Sequence, residues 1–456
     1  VRSLTGMLIG MSHIMLPLMI LPLYATMRGI NPALKRAATA MGAGPLRTFV
    51  SVFLPLSMPG VRSGCVLVFV TTLGTYIIPS ALGGLSNSMI SNLIQTQVES
   101  SLNFGLAGAA AFVLLALTLV VFALVGGEIG AVYGSGETIS TRRSPAIRRA
   151  RLIFGAVGKL SGLSQLCLSV SSALWRKRQS NPPTPSHVGR TAILGATAAV
   201  LGFLAIPSLI VVVISFSADS FLAFPPARYS LRWYEVYLQS PQWRSATMLS
   251  LVIAPLSAVL SLLLGLGAAY ALVRGQLAGR RAILGLLLAP LIIPSVVSGI
   301  AIFWLLADWR LVGTQVGILI AHTIGGLAFV VVITMSALAN FDRRLELAAM
   351  SLGARPLTMF RKIVAPLIMP GIVAGALFAF IHSFDEVIIT SFVAGTQHQT
   401  LPVKIWSDMV LEVDPTIAAV SALLVALPFL WLIVMEGFGQ RRERMPKVAQ
   451  SIRQAG

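Results

Sequence analysis

Apolar and polar residues along this 456-residue chain fall into long blocks, not into the alternation of half-buried strands. Nine apolar blocks come close to the ~20 residues that a helix needs to cross a bilayer. They run over 4–27, 57–79, 105–126, 191–215, 246–273, 282–306, 314–338, 367–391 and 416–436. The pattern predicts an all-α membrane protein, a polytopic helical bundle of about nine transmembrane helices. Pro17, Pro22, Pro255, Pro290 and Pro294 fall inside these blocks. Membrane helices tolerate proline where neighbours satisfy the freed carbonyls.

The polar stretches orient the blocks. Segment 28–56 carries Arg28, Lys35, Arg36 and Arg47, whereas 80–104 carries no Lys or Arg. Segment 128–190 has ten Lys and Arg against two acids, and 340–366 has five. Arg274, Arg280 and Arg281 lie in 274–281, and Arg441, Arg442, Arg444, Lys447 and Arg453 lie in the tail. Nine alternating spans put all five basic regions on one face, which the positive-inside rule makes cytoplasmic. The linker and C-terminus are therefore expected in the cytoplasm. Segments 216–245, 307–313 and 392–415, richer in Trp, Tyr and acid, fall on the other face.

One polar interruption occurs twice. "LELAAMSLGARPLTMFRKIVAPLIMPG" spans Leu345–Gly371, and "KRAATAMGAGPLRTFVSVFLPLSMPG" spans Lys35–Gly60, offset by 311 residues. Over the 24 positions from Ala37 and Ala348, 12 are identical. The match continues from Ile77, Ile78, Ser80 and Gly84 to Ile388, Ile389, Ser391 and Gly395. Such an offset relates two whole modules, not the units of a solenoid. The expected organisation is a first module at 1–127 with three helices and a basic linker at 128–190. A second, complete module of six helices follows at 191–440, then a basic tail at 441–456. The first module has one helix ahead of its loop where the second has four, so about three helices are expected to be missing from it. The linker stretch "LIFGAVGKLSGLSQLCLSVSSALW" reads as an interfacial helix or a tenth span. The interfacial helix is preferred, because a tenth span would invert the arginine pattern of the second module.

Each loop reads as a short surface helix. Asn340 or Asp342 suits a helix N-cap, and Glu346 sits in the early turns favoured by the helix dipole. Gly353 suits a left-handed C-terminal cap before Pro356. Ala348 and Ala349 give a small face open to close approach by another protein.

Composition narrows the class. The chain is 56% hydrophobic and 11% charged, with a mean hydropathy of +0.86. A soluble domain carries about 25% charged residues. The positive residues behind the net charge of +19 cluster in the segments between apolar blocks, so the charge signals topology and no nucleic-acid partner. Cys65 and Cys167 are too few and too isolated for a disulfide framework or a metal site. "GAVGKLSG" at 155–162 lacks both the leading glycine and the Ser or Thr of a phosphate-binding loop.

The two loops resemble the "EAA" loop of importer permeases of ATP-binding-cassette transporters. That pattern is Glu-Ala-Ala, three residues, Gly, nine residues, then Ile-x-Leu-Pro. Ala348, Ala349, Gly353, Ile363 and Pro366 sit at those spacings, with Leu347 in the Glu place and Glu346 one residue earlier. Ala37, Ala38, Gly42, Val52, Leu54 and Pro55 match in the first copy, with Arg36 in the Glu place. The resemblance covers nearly all of the chain except the linker and implies two fused permease modules. It also implies that residues 36–42 and 346–353 are helices that dock on a separate ATPase. The site residues so implied are Arg36, Ala37, Ala38, Gly42, Glu346, Leu347, Ala348, Ala349 and Gly353. The partners implied are ABC ATPase subunits, an extracytoplasmic substrate-binding protein and membrane lipid, in a bacterial inner membrane. ATP is expected on the ATPase, with no cofactor in this chain and no enzyme activity of its own.

Local motifs are similar to the spermidine/putrescine group: "MLPLMILPLYATM", "YSLRWYEVYL", "HSFDEVIITSFVAGT" and "TLPVKIWSDM". Asp385 and Glu386 are acids at membrane depth, where charge is rare and faces a cavity or a partner. They are candidates for the substrate pathway of an organic cation, or else bond His382 or an Arg within the bundle. Trp233, Tyr234, Tyr237, Trp243, Trp309 and Trp406 suit an interfacial belt, with a binding-protein contact as the alternative. His322 suits a satisfied packing role. Ferric-iron-type systems also fuse two modules, and an ion-driven secondary transporter is the reading from another class.

Overall fold

The hydropathy blocks fold into helices. A computed structural model describes residues 3–125, 187–395, 397–411 and 414–427. The expected linker helix and basic tail lie outside these residues, as does the end of the ninth span. Two compact units emerge, one of Val1–Thr184 with Leu249–Val403, the other of Pro185–Met248 with Lys404–Gly456.

The first unit begins with α1 (Leu4–Arg28), the loop helices α2 (Pro32–Ala40) and α3 (Pro45–Thr48), and α4 (Leu54–Gly74). Then come α5 (Ile90–Glu99) and α6 (Phe104–Val125). Gly60 and Gly64 let α4 lie directly on α1, because a methyl at either would strike Thr26 or Met19. Phe104 stacks on Phe303, ring centroids 5.1 Å apart, which holds α6 to the later half of the unit.

That half contains most of α9 (Pro241–Arg274), then α10 (Arg280–Ile292), α11 (Ser295–Asp308) and α12 (Gln315–Ala339). The loop helices α13 (Arg343–Ser351), α14 (Pro356–Met359) and α15 (Ala365–Leu367) follow, then α16 (Met369–Phe384) and α17 (Ile388–Val393). The expected straight span 282–306 is broken: α10 and α11 meet at 112°. Pro294 has no N–H to donate, and Ile293 before it is pushed to an extended ψ of 131°. A second bend of 78° separates Pro356–Leu367 from Met369–Phe384, next to Pro366 and Pro370. The expected span 367–391 therefore ends at Phe384, and residues 385–387 interrupt it before α17. One apolar core joins Leu272, Leu288, Val331, Leu338, Ala349, Met359 and Val364.

The second unit contains α7 (His187–Ile214) and α8 (Arg232–Gln239), with the end of α18 (Leu401–Leu411) and α19 (Thr416–Leu427). Tyr234 and Ser215 share a hydrogen bond of 2.7 Å, and Tyr237 and Thr247 one of 2.8 Å. Lys404 pairs with Asp408 at 2.6 Å and lies over the Trp243 ring. Trp233, Trp243 and Trp406 are buried in the protein, so they pack and do not form a belt; Trp309 is exposed. Among the described residues six helices are long and apolar enough to cross a membrane, or up to eight with each bent pair as one span.

Candidate functional site: a duplicated loop helix and an interrupted span

The 311-residue repeat is reproduced in the elements, caps and stops of the two loops. Helix α2 maps onto α13, α3 onto α14, and the π-helical turn Phe49–Phe53 onto Phe360–Val364. Asn31 caps α2 by accepting from the Ala33 N–H at 2.9 Å, and Asp342 caps α13 by accepting from Arg344 at 2.9 Å. Each side-chain oxygen satisfies one of the free N–H groups at a helix start. At the other end Gly42 and Gly353 turn at φ of +82° and +83°. The Ala43 N–H then returns to the Ala38 carbonyl, and Ala354 to Ala349, both at 3.0 Å. A left-handed residue closing such a loop is the ordinary helix stop.

The small face divides between inside and outside. Ala38 and Ala349 are buried within the chain, whereas Ala37, Ala348, Arg36 and Leu347 are exposed. The residue just before each turning glycine projects outward: Met41 is 82% exposed and Leu352 is 89% exposed. Sequence reasoning missed this pair. The signal was present, a large apolar residue held at the same place in both copies despite its exposure.

Glu346 departs from the other candidates. It is buried, and its Oε1 accepts from Arg274 Nε at 2.8 Å. Lys35 takes its place in the first copy and lies 4.0 Å from the centre of the Phe53 ring. Arg274 was missed as a partner, although Glu346 is the one acid of its own loop helix.

The acid pair occupies the interruption after α16. Asp385 closes α16 and is exposed. Glu386 is buried, and its Oε1 accepts from the Ile389 N–H at 2.9 Å, capping α17. Among the described residues neither acid forms an ion pair with Arg or His. His322 is held by Ser383 and Thr390, both at 2.7 Å, and so has the satisfied packing role expected of it. In the first module Gly74 and Thr75 stand at the matching places. A Cβ on Gly74 would lie 2.7 Å from Ser295 N and 3.0 Å from Pro294 Cα. The first copy thus meets the break between α10 and α11 where the second copy presents Asp385. Next to it, the Tyr76 hydroxyl and Ser391 Oγ lie 3.0 Å apart.

The family model for the inner membrane component of binding-protein-dependent transport systems matches residues 2–126 and 261–444, once in each module. The chain belongs to this family. The permease is 33% identical over 252 residues to the spermidine/putrescine transport system permease protein PotC of Escherichia coli K12. That alignment covers 55% of this chain and 94% of the relative. It is 37% identical over 230 residues to the putrescine transport system permease protein PotI of the same organism, covering 49% and 82%. It is 31% identical over 240 residues to the molybdenum transport system permease protein ModB of Mycobacterium bovis, covering 48% and 89%. A bacterial ABC transporter involved in import of the acidic polysaccharide alginate matches at a TM-score of 0.46 and 18% identity, covering 56% and 99%. By its family the permease is an inner-membrane component of a binding-protein-dependent transport system.

Proposed function

We propose that this permease imports polyamines and that its two loop helices couple it to a separate ATPase. The observation that carries the coupling role is the duplicated loop helix. Two helices 311 residues apart share cap, stop and buried alanine, and each projects one large apolar side chain. Arg36, Ala37, Ala38 and Gly42 in one copy, and Glu346, Leu347, Ala348, Ala349 and Gly353 in the other, then belong to two docking elements for ATPase subunits. ATP binds on those subunits, and an extracytoplasmic binding protein delivers the substrate. Modules 1–127 and 191–440 form the two halves of the pathway. Linker 128–190 and tail 441–456 lie in the cytoplasm, consistent with their Lys and Arg.

Polyamine cargo is supported by the two relatives named for spermidine and putrescine transport. Exposed Asp385 offers an acceptor for an ammonium group. The test is uptake of labelled spermidine and putrescine into cells lacking other polyamine importers, with the ATPase and binding protein co-expressed. ATP-dependent uptake of either supports the reading. Uptake of molybdate instead, as the ModB relative would suggest, replaces the cargo and keeps the coupling; uptake without an ATPase subunit overturns the coupling.

A further inference from the structure

We propose that Arg274 is a positioning residue: it fastens the second loop helix to the end of α9. The inference rests on the coupling role of the loop helices. Arg274 is the last residue of α9, a 34-residue helix. Its Nε donates to Glu346 of α13 at 2.8 Å. Its Nη2 donates to the Leu338 carbonyl, at the end of α12, at 3.3 Å, and to the Phe341 carbonyl at 3.5 Å. One guanidinium therefore joins α9, α12 and the loop helix. Its planar fork of donors suits this, and a lysine ammonium does not reproduce it. One turn earlier on α9, Tyr270 meets Phe360 of the π-helical turn edge to face, with centroids 5.4 Å apart. The end of α9 thus grips the second loop twice.

Burial makes the tie consequential. Arg274 and Glu346 are both largely withdrawn from water, so neither charge is comfortable without the other. A push on α13 is carried to α9 and α12 together. In the first loop the matching position is Lys35, exposed and lying over Phe53, a residue of its own loop. That contact ties the loop to itself. The two loops are alike in backbone and unlike in attachment.

The experiment uses the full chain assembled with its ATPase and binding protein in membrane vesicles, with spermidine uptake and ATP hydrolysis measured together. R274Q is expected to lower spermidine moved per ATP hydrolysed about tenfold, within the range of ordinary coupling between sites. R274K recovers part of this, since it meets Glu346 but not both carbonyls. R274M/E346L leaves no buried unpaired charge, so the complex stays assembled, yet its coupling stays low because the carbonyl bonds remain lost. Wild-type coupling in either R274Q or R274M/E346L overturns the inference alone. Failure of both variants to assemble also overturns it, by making the pair a folding element only. Wild-type vesicles that take up spermidine without ATP overturn the coupling reading itself, whereas ATP-driven uptake of molybdate in place of spermidine replaces the cargo only, and the variants are then read with molybdate.

Discussion

Gly74 and Asp385 occupy one place in two copies, and packing decides which residue fits. Backbone atoms of Ser295 and Pro294 fill the space where a Gly74 side chain would go. Neither atom is the end of a flexible side chain, so G74A forces the end of α4 away from the break between α10 and α11. Overpacking of this kind costs about 1–3 kcal/mol. The expected outcome is a lower thermal midpoint for purified G74A, and no assembled protein for G74D. At the second place D385N keeps the fold, because the side chain is exposed, and raises the KM for spermidine while leaving assembly intact. An unchanged KM would remove Asp385 from the pathway. Glu386 behaves differently, because its carboxylate accepts from the Ile389 N–H. A Gln oxygen also accepts, so E386Q is mild, whereas E386A loses a helix cap and costs about 1 kcal/mol of stability in a thermal melt.

Among the elements, the loop helices were the most legible. The second loop's start was narrowed to Asn340 or Asp342 and its stop to Gly353, because capping depends on short-range bonds to particular residue types; Asp342 is the cap, and Asn31 and Gly42 serve the first loop alike. Glu346 was read as a dipole partner, but its carboxylate serves Arg274, 72 residues away. No local pattern reveals such a pairing. The breaks at Pro294 and Ile368 were also hidden, since prolines in a membrane helix are compatible with a kink, a break or neither. The π-helical turns Phe49–Phe53 and Phe360–Val364 leave no mark in composition, yet they recur at the same register. A π-helical turn is rare and holds one extra residue relative to an α-helix. Deleting Arg361 is expected to convert the second turn to α-helix and rotate α13 and α14 about 100° relative to α15 and α16. Uptake would then fail with the chain still present in the membrane, as read by transport beside immunodetection. Strain at the stops is a separate matter: nothing lies within 4 Å of a Cβ on Gly42 or Gly353, so only the left-handed backbone resists substitution. G353A and G42A should each cost about 1–2 kcal/mol, and G353N less than G353A, because Asn tolerates that conformation.

At the scale of the whole molecule, the duplication does not produce two equivalent halves. The modules share the backbone of their loops, but Asp385 and Glu386 stand where the first module has Gly74 and Thr75, and Glu346, bound to Arg274, stands where it has Lys35. Under the proposed coupling, the duplicated loop geometry gives a common mode of docking, while Glu346 on Arg274 in one loop and Lys35 over Phe53 in the other give each docking event different contacts behind it. Exchanging the loops tests this division. Placing the sequence of residues 32–42 at 343–353 sets Lys35 where Glu346 stood, opposite Arg274 and against two carbonyls already engaged by it. Two like charges then share a buried site without Glu346, which is more damaging than loss of the pair. The reverse exchange sets a glutamate at position 35, where the side chain is exposed and loses only its contact with Phe53. The expected result is loss of uptake for the exchange into the second module and at most a few-fold loss for the exchange into the first. Adding R274Q should partly restore the first of these by removing the repulsion. Equal defects in the two exchanges would mean that the loops are anchored alike in function, whatever their contacts.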